Sequence, residues 1–279
     1  MADNGTARRR RGSDAAVENF GDCAADDQFV VRALSRGLHV LALFNVDHPE
    51  WSLNELAKAT KLHKATTYRM TRTMEAEGFL VFDADSGNYH LGPAVIPLSY
   101  LAQTQSELER MAKPFLEKLA AESGETANLA VETEDTFIVI GSVLTSHTFK
   151  PSLPIGRVLT DLSNAHSKLS VALKSPAERA RFLNRPQPAC TKYSLTDCKQ
   201  IEAELERVAE EGVAYDMEEH GLGVCSVAAP VFGPKGLLIA TISVVAPKER
   251  FGPEERKRAT EHVKRVAAEL SEYLGYTPA

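Results

Sequence analysis

The sequence predicts an α+β protein with a small helical N-terminal domain, a helical linker and a larger C-terminal domain built on an antiparallel sheet. In the first third of the chain, apolar residues recur at spacings of three and four, which is typical of helices with one buried face. From Ala127 onwards, short apolar runs flank polar turns, which is typical of β-hairpins. Helical stretches lie between and after these hairpins, so helices packed on an antiparallel sheet fit this part best.

The composition is that of a globular protein with room for more than one core. The chain has 279 residues, of which 43% are hydrophobic and 25% are charged. Its formal net charge of -6 disfavours a general polyanion binder, although a local basic strip can still bind phosphates. The cysteines form no C-x-x-C pair, which favours reduced thiols, and the alternative is a zinc site made by Cys190, Cys198, His220 and Cys225.

Residues 1–27 are predicted to be a basic, unstructured tail. They are polar, and no apolar stretch follows the run from Arg8 to Arg11, which argues against a secretion signal. No run of about 18 apolar residues indicates a membrane span, so we expect a cytoplasmic protein without a membrane partner. The arginines are either an arm that lies on DNA or a solubilising tail.

Residues 28–92 are predicted to form a DNA-binding domain, which begins with a helix over Phe29–Phe44. The predicted buried face of this helix consists of Val30, Ala33, Leu34, Leu38, Leu41 and Ala42.

A helix-turn-helix is predicted next. Ser52 and Glu55 have the spacing of a capping box and mark the start of a second helix, which ends near Thr60. A third helix, His63–Glu77, ends at Gly78 and is expected to bury Thr67, Met70, Thr71 and Met74.

A hairpin and a linker follow the third helix. Phe79–Phe82 and Tyr89–Leu91 are predicted strands joined by a polar turn, which makes a wing behind the helix. Residues 93–105 carry apolar residues at helical spacing and are expected to be a linker helix. In the next helical stretch, Pro114 predicts a break or kink and Gly124 predicts a stop.

Residues 106–279 are predicted to form the larger domain. Its hairpins pair Ala127–Val131 with Phe137–Val143 and Val224–Phe232 with Leu237–Val245. Its helices are Asn164–Leu173, Pro176–Leu183, Asp197–Glu211 and Pro253–Leu274, with Ser163, Ser175 and Thr196 among the expected caps.

The charge pattern of the helix-turn-helix favours DNA as the partner. Between Glu55 and Glu75 the sequence has no acidic residue, but it has Lys58, Lys61, Lys64, Arg69 and Arg72. Because the third helix buries one face, the other face is free to enter a major groove. We therefore expect base contacts from Lys64, Ala65, Thr66 and Tyr68, phosphate or guanine contacts from Arg69 and Arg72, and further backbone contacts from Lys61 and His90. The alternative is a solvated basic face.

Two sets of motifs occur in a recognisable order. The first comprises Ser52 to Ala57, Leu62 to Arg69, Gly78 to Leu80 and Tyr89 to Gly92, and the second comprises Gly212 to Glu219, Gly223 and Ala228 to Phe232. Together they resemble the IclR family of bacterial transcription regulators over residues 28–277. The resemblance implies a winged helix-turn-helix, a helical linker and a GAF-like effector domain with an antiparallel sheet.

The sequence departs from the family pattern at a few positions. Lys61 stands where the family usually has Gly in the turn before the recognition helix, and Ala65 replaces a usual Ser. In the effector domain, Ser167-Lys168 replaces a common Gly-Lys pair, directly after His166. We expect the recognised DNA site and the effector pocket to differ accordingly.

The resemblance implies an effector site at the start of the helix that follows Asn164, where unpaired N–H groups would hold a carboxylate. The implied ligand-binding residues are Ala165 and His166 through their amides, then Asp216, Ser226 and Ser243, with Leu222 and Val245 as an apolar wall. His166 is expected to be protonated and paired with the anion, or neutral and bonded to a hydroxyl, or a surface cap of its helix. A protonated His166 would tighten ligand binding as the pH falls from about 7.5 to 6.

A regulator is the predicted class of protein. The sequence has no G-x-S-x-G, no P-loop and no H-E-x-x-H, so we expect no catalytic residue, no cofactor and no metal. The predicted function is a ligand-responsive repressor of a catabolic operon that senses a small organic or aromatic acid. The alternatives are an activator, a constitutive architectural DNA binder, and a hydrolase-like or metal-binding domain fused to DNA targeting. The resemblance further implies a homodimer on double-stranded operator DNA and a tetramer formed as a dimer of dimers.

Overall fold

The computed structural model describes residues 31–104, 107–133 and 136–277. It divides into two compact units, Met1–Tyr100 and Leu101–Ala279, with separate hydrophobic cores. The predicted tail, with Arg8 to Arg11, lies outside the described residues. Within the described part of the chain, no helix is long and apolar enough to cross a membrane.

The N-terminal unit contains the predicted helix-turn-helix and wing. Its elements in chain order are α1 (Arg32–Ala42), β1 (Glu50–Ser52), α2 (Leu53–Ala59), α3 (Lys64–Ala76), β2 (Leu80–Asp83) and β3 (Asn88–Leu91). β2 and β3 form the wing hairpin, and β1 pairs with β3 to complete a small sheet of order β1-β3-β2. β1 was not predicted, because a strand this short shows no recognisable alternation of polar and apolar residues.

Local chemistry fixes the ends of α2 and α3. The Ser52 hydroxyl accepts from the N–H of Glu55, whose carboxylate accepts from the N–H of Ser52, so the predicted capping box is confirmed. Gly78 follows α3 with φ +77°, in the left-handed region that favours glycine. A Cβ on Gly92 would lie 2.2 Å from the carbonyl oxygen of Gly78, so the end of the wing requires glycine there.

The predicted buried face of α1 is wrong apart from Leu41, which packs against the core, and Val30 lies outside the described residues. Val40 and the following Leu43 are buried, whereas Leu34 is 61% exposed and Leu38 is 57% exposed. The helix carries two apolar stripes, and periodicity alone cannot decide which one meets the core. The core side includes Gly37, where an added Cβ would lie 3.2 Å from Cε of Met74, so the missing side chain allows close approach of α3.

Two helices precede the large sheet. α4 (Val95–Thr104) corresponds to the predicted linker helix, and α5 (Glu107–Ser123) follows it. α5 continues through Pro114, so the predicted break there is wrong. It ends before Gly124, whose φ of +72° confirms the predicted stop.

The C-terminal unit is a six-stranded antiparallel sheet, in the described part of the chain, with helices on both faces. The strands are β4 (Thr126–Thr133), β5 (Thr136–Val143), β6 (Val158–Leu159), β7 (Ala214–Met217), β8 (Val224–Phe232) and β9 (Leu238–Pro247), in the order β6-β5-β4-β9-β8-β7. The remaining helices are α6 (Ala165–Ala172), α7 (Pro176–Leu183), α8 (Cys198–Glu211) and α9 (Pro253–Tyr273). α5 and α9 share one core with the sheet, and α6, α7 and α8 share the other. Both predicted hairpins, β4–β5 and β8–β9, are confirmed.

Two of the predicted helix caps are wrong by one residue. Ser175 does cap α7, through a capping box with Glu178. Asn164 rather than Ser163 caps α6, and Asp197 rather than Thr196 caps α8. In both cases the neighbouring amide or carboxylate side chain reaches the backbone N–H groups in place of the hydroxyl.

Candidate functional site

The outer face of α3 carries the side chains that were predicted to meet DNA. Thr67 and Thr71 are fully buried against the core of the N-terminal unit. Thr66 is half-buried. The exposed residues, on the opposite face of α3 and in the turn before it, are Lys61, Lys64, Ala65, Tyr68, Arg69 and Arg72. The predicted orientation of the helix is therefore confirmed.

The start of α3 has the features of a phosphate-binding helix end. Its N-cap residue, His63, makes no side-chain capping hydrogen bond. Helix geometry leaves the first two N–H groups, of Lys64 and Ala65, without partners inside the helix, and Lys61 and Lys64 add positive charge beside them. Lys61 has a φ of 55°, so it occupies the left-handed conformation at the position where the family usually has glycine.

The two arginines of α3 differ in their surroundings. Nη1 of Arg72 lies 2.8 Å from Oε2 of Glu75 on the next turn of the helix, so its charge is partly neutralised. Arg69 forms no ion pair with any other described residue, and its positive charge remains available to a phosphate. His90, on the wing, is half-buried, and its Nδ1 lies 3.1 Å from the carbonyl oxygen of Leu91.

In the C-terminal unit, strand register brings several of the predicted effector residues together. Asp216 on β7 lies opposite Ser226 on β8, which lies opposite Val245 on β9. Ser243, two residues before Val245, therefore points to the same face of the sheet. The neighbours of Ser243 on that face are Asn128 on β4 and, beyond it, Ser142 on β5. We call Ser142, Asn128 and Ser243 the polar strip.

α6 is attached to the sheet beside the polar strip. Nδ1 of His166 lies 2.6 Å from Oγ1 of Thr241, which is two residues before Ser243 on β9 and shares its face. His166 is 2% exposed, and burial lowers the pKa of its imidazole to about 4. Asn164, not His166, caps the helix. The expectation of a surface cap is therefore wrong, and burial favours the neutral imidazole in the ligand-free protein.

Buried polar atoms without hydrogen-bond partners are concentrated at this place. Among the described residues, no partner contacts the Asn128 side-chain amide, the hydroxyls of Ser142 and Ser243, or Nε2 of His166. A buried polar group without a partner costs about 1–3 kcal/mol, so this cluster marks a place where water or a polar ligand would be favourable. Asn128 and Ser142 were missed in the sequence, where the only signal was a polar residue inside an apolar strand.

The remaining predicted effector residues have different surroundings. Oδ1 of Asp216 accepts from the backbone N–H groups of Glu219, at 2.8 Å, and His220, at 3.2 Å, so this carboxyl holds a turn. Burial nevertheless raises its pKa to about 7. Leu222 is 63% exposed in the turn between β7 and β8, so the predicted enclosed apolar wall does not include it. Ala165 and Val245 are buried as expected.

A groove on the opposite face of the sheet is a weaker candidate for a polar ligand. It lies between β8 and α9 and is lined by residues such as Ala229, Phe232 and Tyr276. None of the unpartnered polar atoms of the polar strip lies in it.

A helix-turn-helix with a basic outer face, followed by an α+β domain with a buried polar site, defines a DNA-binding transcription regulator with a separate effector domain. The comparisons with known proteins agree. Residues 33–84 match the IclR helix-turn-helix domain, and residues 100–272 match the C-terminal domain of bacterial IclR transcriptional regulators. The chain belongs to the IclR family.

The similarity to individual relatives extends over nearly the whole chain. The transcriptional repressor AllR of Salmonella typhi is 26% identical over 274 residues, which cover 98% of each chain. The transcriptional regulator BhcR of Paracoccus denitrificans is 29% identical over 252 residues, 90% of each chain.

Solved structures share the fold. An IclR transcriptional regulator from Alicyclobacillus acidocaldarius is 28% identical with a TM-score of 0.75, and the match covers 88% of this chain and 100% of that one. An IclR homologue from Microbacterium hydrocarbonoxydans, complexed with 4-hydroxybenzoate, is 20% identical with a TM-score of 0.69, over 87% of this chain and 98% of that one.

Proposed function

We propose that this chain is a transcriptional repressor whose DNA binding is controlled by a small organic acid bound between α6 and the polar strip. The observation that carries the proposal is the cluster of buried, unpartnered polar atoms at the polar strip and His166. Two relatives support it, because AllR is a repressor and the Microbacterium homologue binds 4-hydroxybenzoate, an aromatic acid.

The ligand chemistry follows from the groups that face the site. The first N–H groups of α6, at Ala165 and His166, suit a carboxylate. Thr241 Oγ1 lies 3.5 Å from the carbonyl oxygen of Ala130, and if it donates there, His166 Nδ1–H donates to Thr241. In that tautomer Nε2 is a bare acceptor, which suits a hydroxyl of the ligand. We therefore propose an acid that also carries a hydrogen-bond donor, with Asn128, Ser142 and Ser243 completing its contacts.

On the DNA side, α3 is proposed to enter the major groove. Tyr68 is 50% exposed and, with Lys64, Ala65 and Thr66, would contact base edges, while Arg69, Arg72 and Lys61 would contact the backbone. A palindromic DNA site is contacted by two recognition helices, one from each subunit of a dimer. α1 presents Leu34 and Leu38, and α4 presents Ile96, Leu98 and Leu101, as exposed apolar side chains that a second copy would cover. We propose a homodimer built on these helices, and a tetramer as a dimer of dimers.

The DNA half of the proposal is tested by the salt dependence of binding. A duplex is first selected from fragments of the source genome with the purified protein, and its affinity is then measured by fluorescence anisotropy at several salt concentrations. Arg69→Ala is expected to weaken binding and to reduce the slope of log K against log salt by about one. Arg181→Ala, an exposed arginine of α7, is the control and is expected to leave the slope unchanged. Equal slopes in all three proteins would remove α3 from the DNA interface.

A further inference from the structure

Three side chains with metal-binding atoms converge in front of α6. A carboxylate oxygen of Asp161, Sγ of Cys190 and a ring nitrogen of His220 all lie within 4.8 Å of one another. We propose that these three residues bind a divalent transition metal ion such as Zn²⁺, in preference to Mg²⁺ or Ca²⁺. The proposed metal ligands include none of the residues of the polar strip, so metal binding can be tested separately from the effector site.

The hydroxyl of Ser163 lies among the three proposed ligands. It donates to Oδ1 of Asp161, and it lies 3.0 Å from Nδ1 of His220 and 3.9 Å from Sγ of Cys190. The three ligand atoms thus surround one point, which the hydroxyl occupies in the metal-free protein and which a cation could occupy instead. In tetrahedral Zn²⁺ sites the bonds are about 2.0–2.3 Å long, so the ligand atoms would need to approach one another by only about 1 Å.

Hydrogen bonds from neighbouring residues already hold the three segments together. The segment of Asp161 is held through Leu162, whose N–H donates to Oε1 of Gln187 at 3.2 Å. The segment of Cys190 is held to the turn before His220, because the Thr191 hydroxyl donates to the carbonyl oxygen of Glu218 at 2.6 Å. A metal ion would therefore bind to segments that are ordered without it, and little conformational entropy would be lost on binding.

The donor set indicates which metal would bind. A thiolate, an imidazole and a carboxylate together suit Zn²⁺, whereas Mg²⁺ and Ca²⁺ prefer oxygen ligands alone. Although Cys190 is exposed as a residue, partial desolvation of its thiol and the nearby Asp161 carboxylate raise the pKa of that thiol, so it is protonated in the absence of a metal. A bound dication would reverse this local field and displace the proton from sulfur. Three protein ligands leave a fourth position for water, for the Ser163 hydroxyl or for a carboxylate.

Cobalt substitution tests the proposal in the full-length protein. After treatment with a chelator and its removal, Co²⁺ is titrated into the wild type under reducing, oxygen-free conditions. We expect one ion per chain, a thiolate-to-cobalt charge-transfer band in the near ultraviolet and the visible bands of tetrahedral Co²⁺. Added Zn²⁺ is expected to abolish these bands, and Mg²⁺ to leave them unchanged. Absence of the thiolate band in the wild type would overturn the proposal, and this test requires no variant.

Variants then assign the ligands. Cys190→Ser is expected to lose the thiolate band, and His220→Gln and Asp161→Asn to weaken metal binding by more than about 100-fold, since even the loss of an outer-shell partner costs about 10- to 100-fold. Cys198→Ser is the matched control, because Cys198 is also an exposed free cysteine but lies outside the cluster. The thermal midpoint of each variant without metal shows whether it is folded. A thiolate band that persists in folded Cys190→Ser, or that is lost equally in Cys198→Ser, would contradict the assignment.

Discussion

Nδ1 of His166 lies 2.6 Å from Oγ1 of Thr241, and this contact joins the first turn of α6 to the central strand β9. Because the imidazole is buried there, it is held in the neutral form and serves as a hydrogen-bonding group rather than as a positive charge. Under the proposed function, backbone N–H groups and neutral side chains would therefore bind the anionic group of the ligand. The pH dependence of stability and of ligand binding can therefore distinguish a neutral from a charged histidine.

The first prediction concerns stability. The pKa of His166 is about 4 in the folded protein and 6.5 in the unfolded chain, so the folded state binds fewer protons between these values. Stability is therefore fully present above pH 6.5 and is lost as the pH falls towards 4. Between pH 7 and 4.5 the wild type should lose about 2–3 kcal/mol of unfolding free energy that His166→Gln retains, measured by urea denaturation. Equal losses in both proteins would contradict burial of the imidazole.

The second prediction concerns ligand binding and assigns its pH dependence to Asp216. With a pKa of about 7, this carboxyl is charged at pH 8 and largely neutral at pH 6. A ligand carboxylate should bind more tightly at pH 6, because a like charge on the same face of the sheet has been removed. Calorimetry should show this dependence in the wild type and in His166→Gln but not in Asp216→Asn. Loss of the dependence in His166→Gln alone would return the role to the histidine.

The third prediction concerns a buried ion pair that anchors α6. Nζ of Lys168 donates to the carbonyl oxygen of Tyr215 at 2.9 Å and pairs with the carboxylate of Glu219, and its side chain is 2% exposed. Lys168→Met should cost about 3–5 kcal/mol, because it leaves the carboxylate buried without its partner. The double variant Lys168→Met, Glu219→Gln should recover most of that loss.

The control for this prediction is a more exposed pair on the same domain. Nζ of Lys174 lies 2.6 Å from Oε1 of Glu132, with side chains that are 19% and 23% exposed. Lys174→Met should cost less than about 1 kcal/mol. Similar unfolding free energies for the two single variants would show that burial of the Lys168 pair has no special effect.

The fourth prediction concerns the turn before α3. Lys61 has a φ of 55°, a conformation that costs a residue with a side chain about 1–2 kcal/mol. Lys61→Gly should relieve that strain, although the greater freedom of glycine in the unfolded chain offsets about 0.5–1 kcal/mol of the gain. We expect a net stabilisation of up to about 1 kcal/mol in denaturant unfolding, together with weaker DNA binding. A destabilised variant would show that the lysine side chain contributes contacts that outweigh the strain.

Helix and hairpin positions were predictable because their signals are local. The Ser52 capping box and the glycine at position 78 each act over a few residues, and the structure confirms them. The buried face of α1 was not predictable, because two apolar stripes compete and only the packing of Gly37 against Met74 selects one. Strands β6 and β7 were missed because edge strands of two and four residues leave almost no pattern.

The composition of the effector site was only partly predictable, because it depends on long-range strand pairing. Asn128 and Ser243 are direct neighbours across β4 and β9, yet they are more than a hundred residues apart in the chain. The family resemblance pointed to Ser243 and to the start of α6. It gave no indication of Asn128 or Ser142, whose role depends on the register of the sheet and on the absence of partners for their polar atoms among the described residues.

Under the proposed function, the polar strip couples an acid ligand to DNA binding, and Asn128→Ala is the variant that breaks this coupling. From a panel of aliphatic and aromatic carboxylic acids that includes 4-hydroxybenzoate, the acid that most raises the thermal midpoint of the wild type is chosen. DNA affinity is then measured by fluorescence anisotropy with and without this acid, and Thr133→Ala, an exposed residue of the same strand, is the control.

We expect the acid to weaken DNA binding of the wild type and of Thr133→Ala by about 5- to 150-fold, the usual range of coupling between two sites. Asn128→Ala should bind DNA as the wild type does in the absence of the acid and should lose most of this response, because only the effector side of the coupling has been changed. An undiminished response in folded Asn128→Ala would contradict the claim.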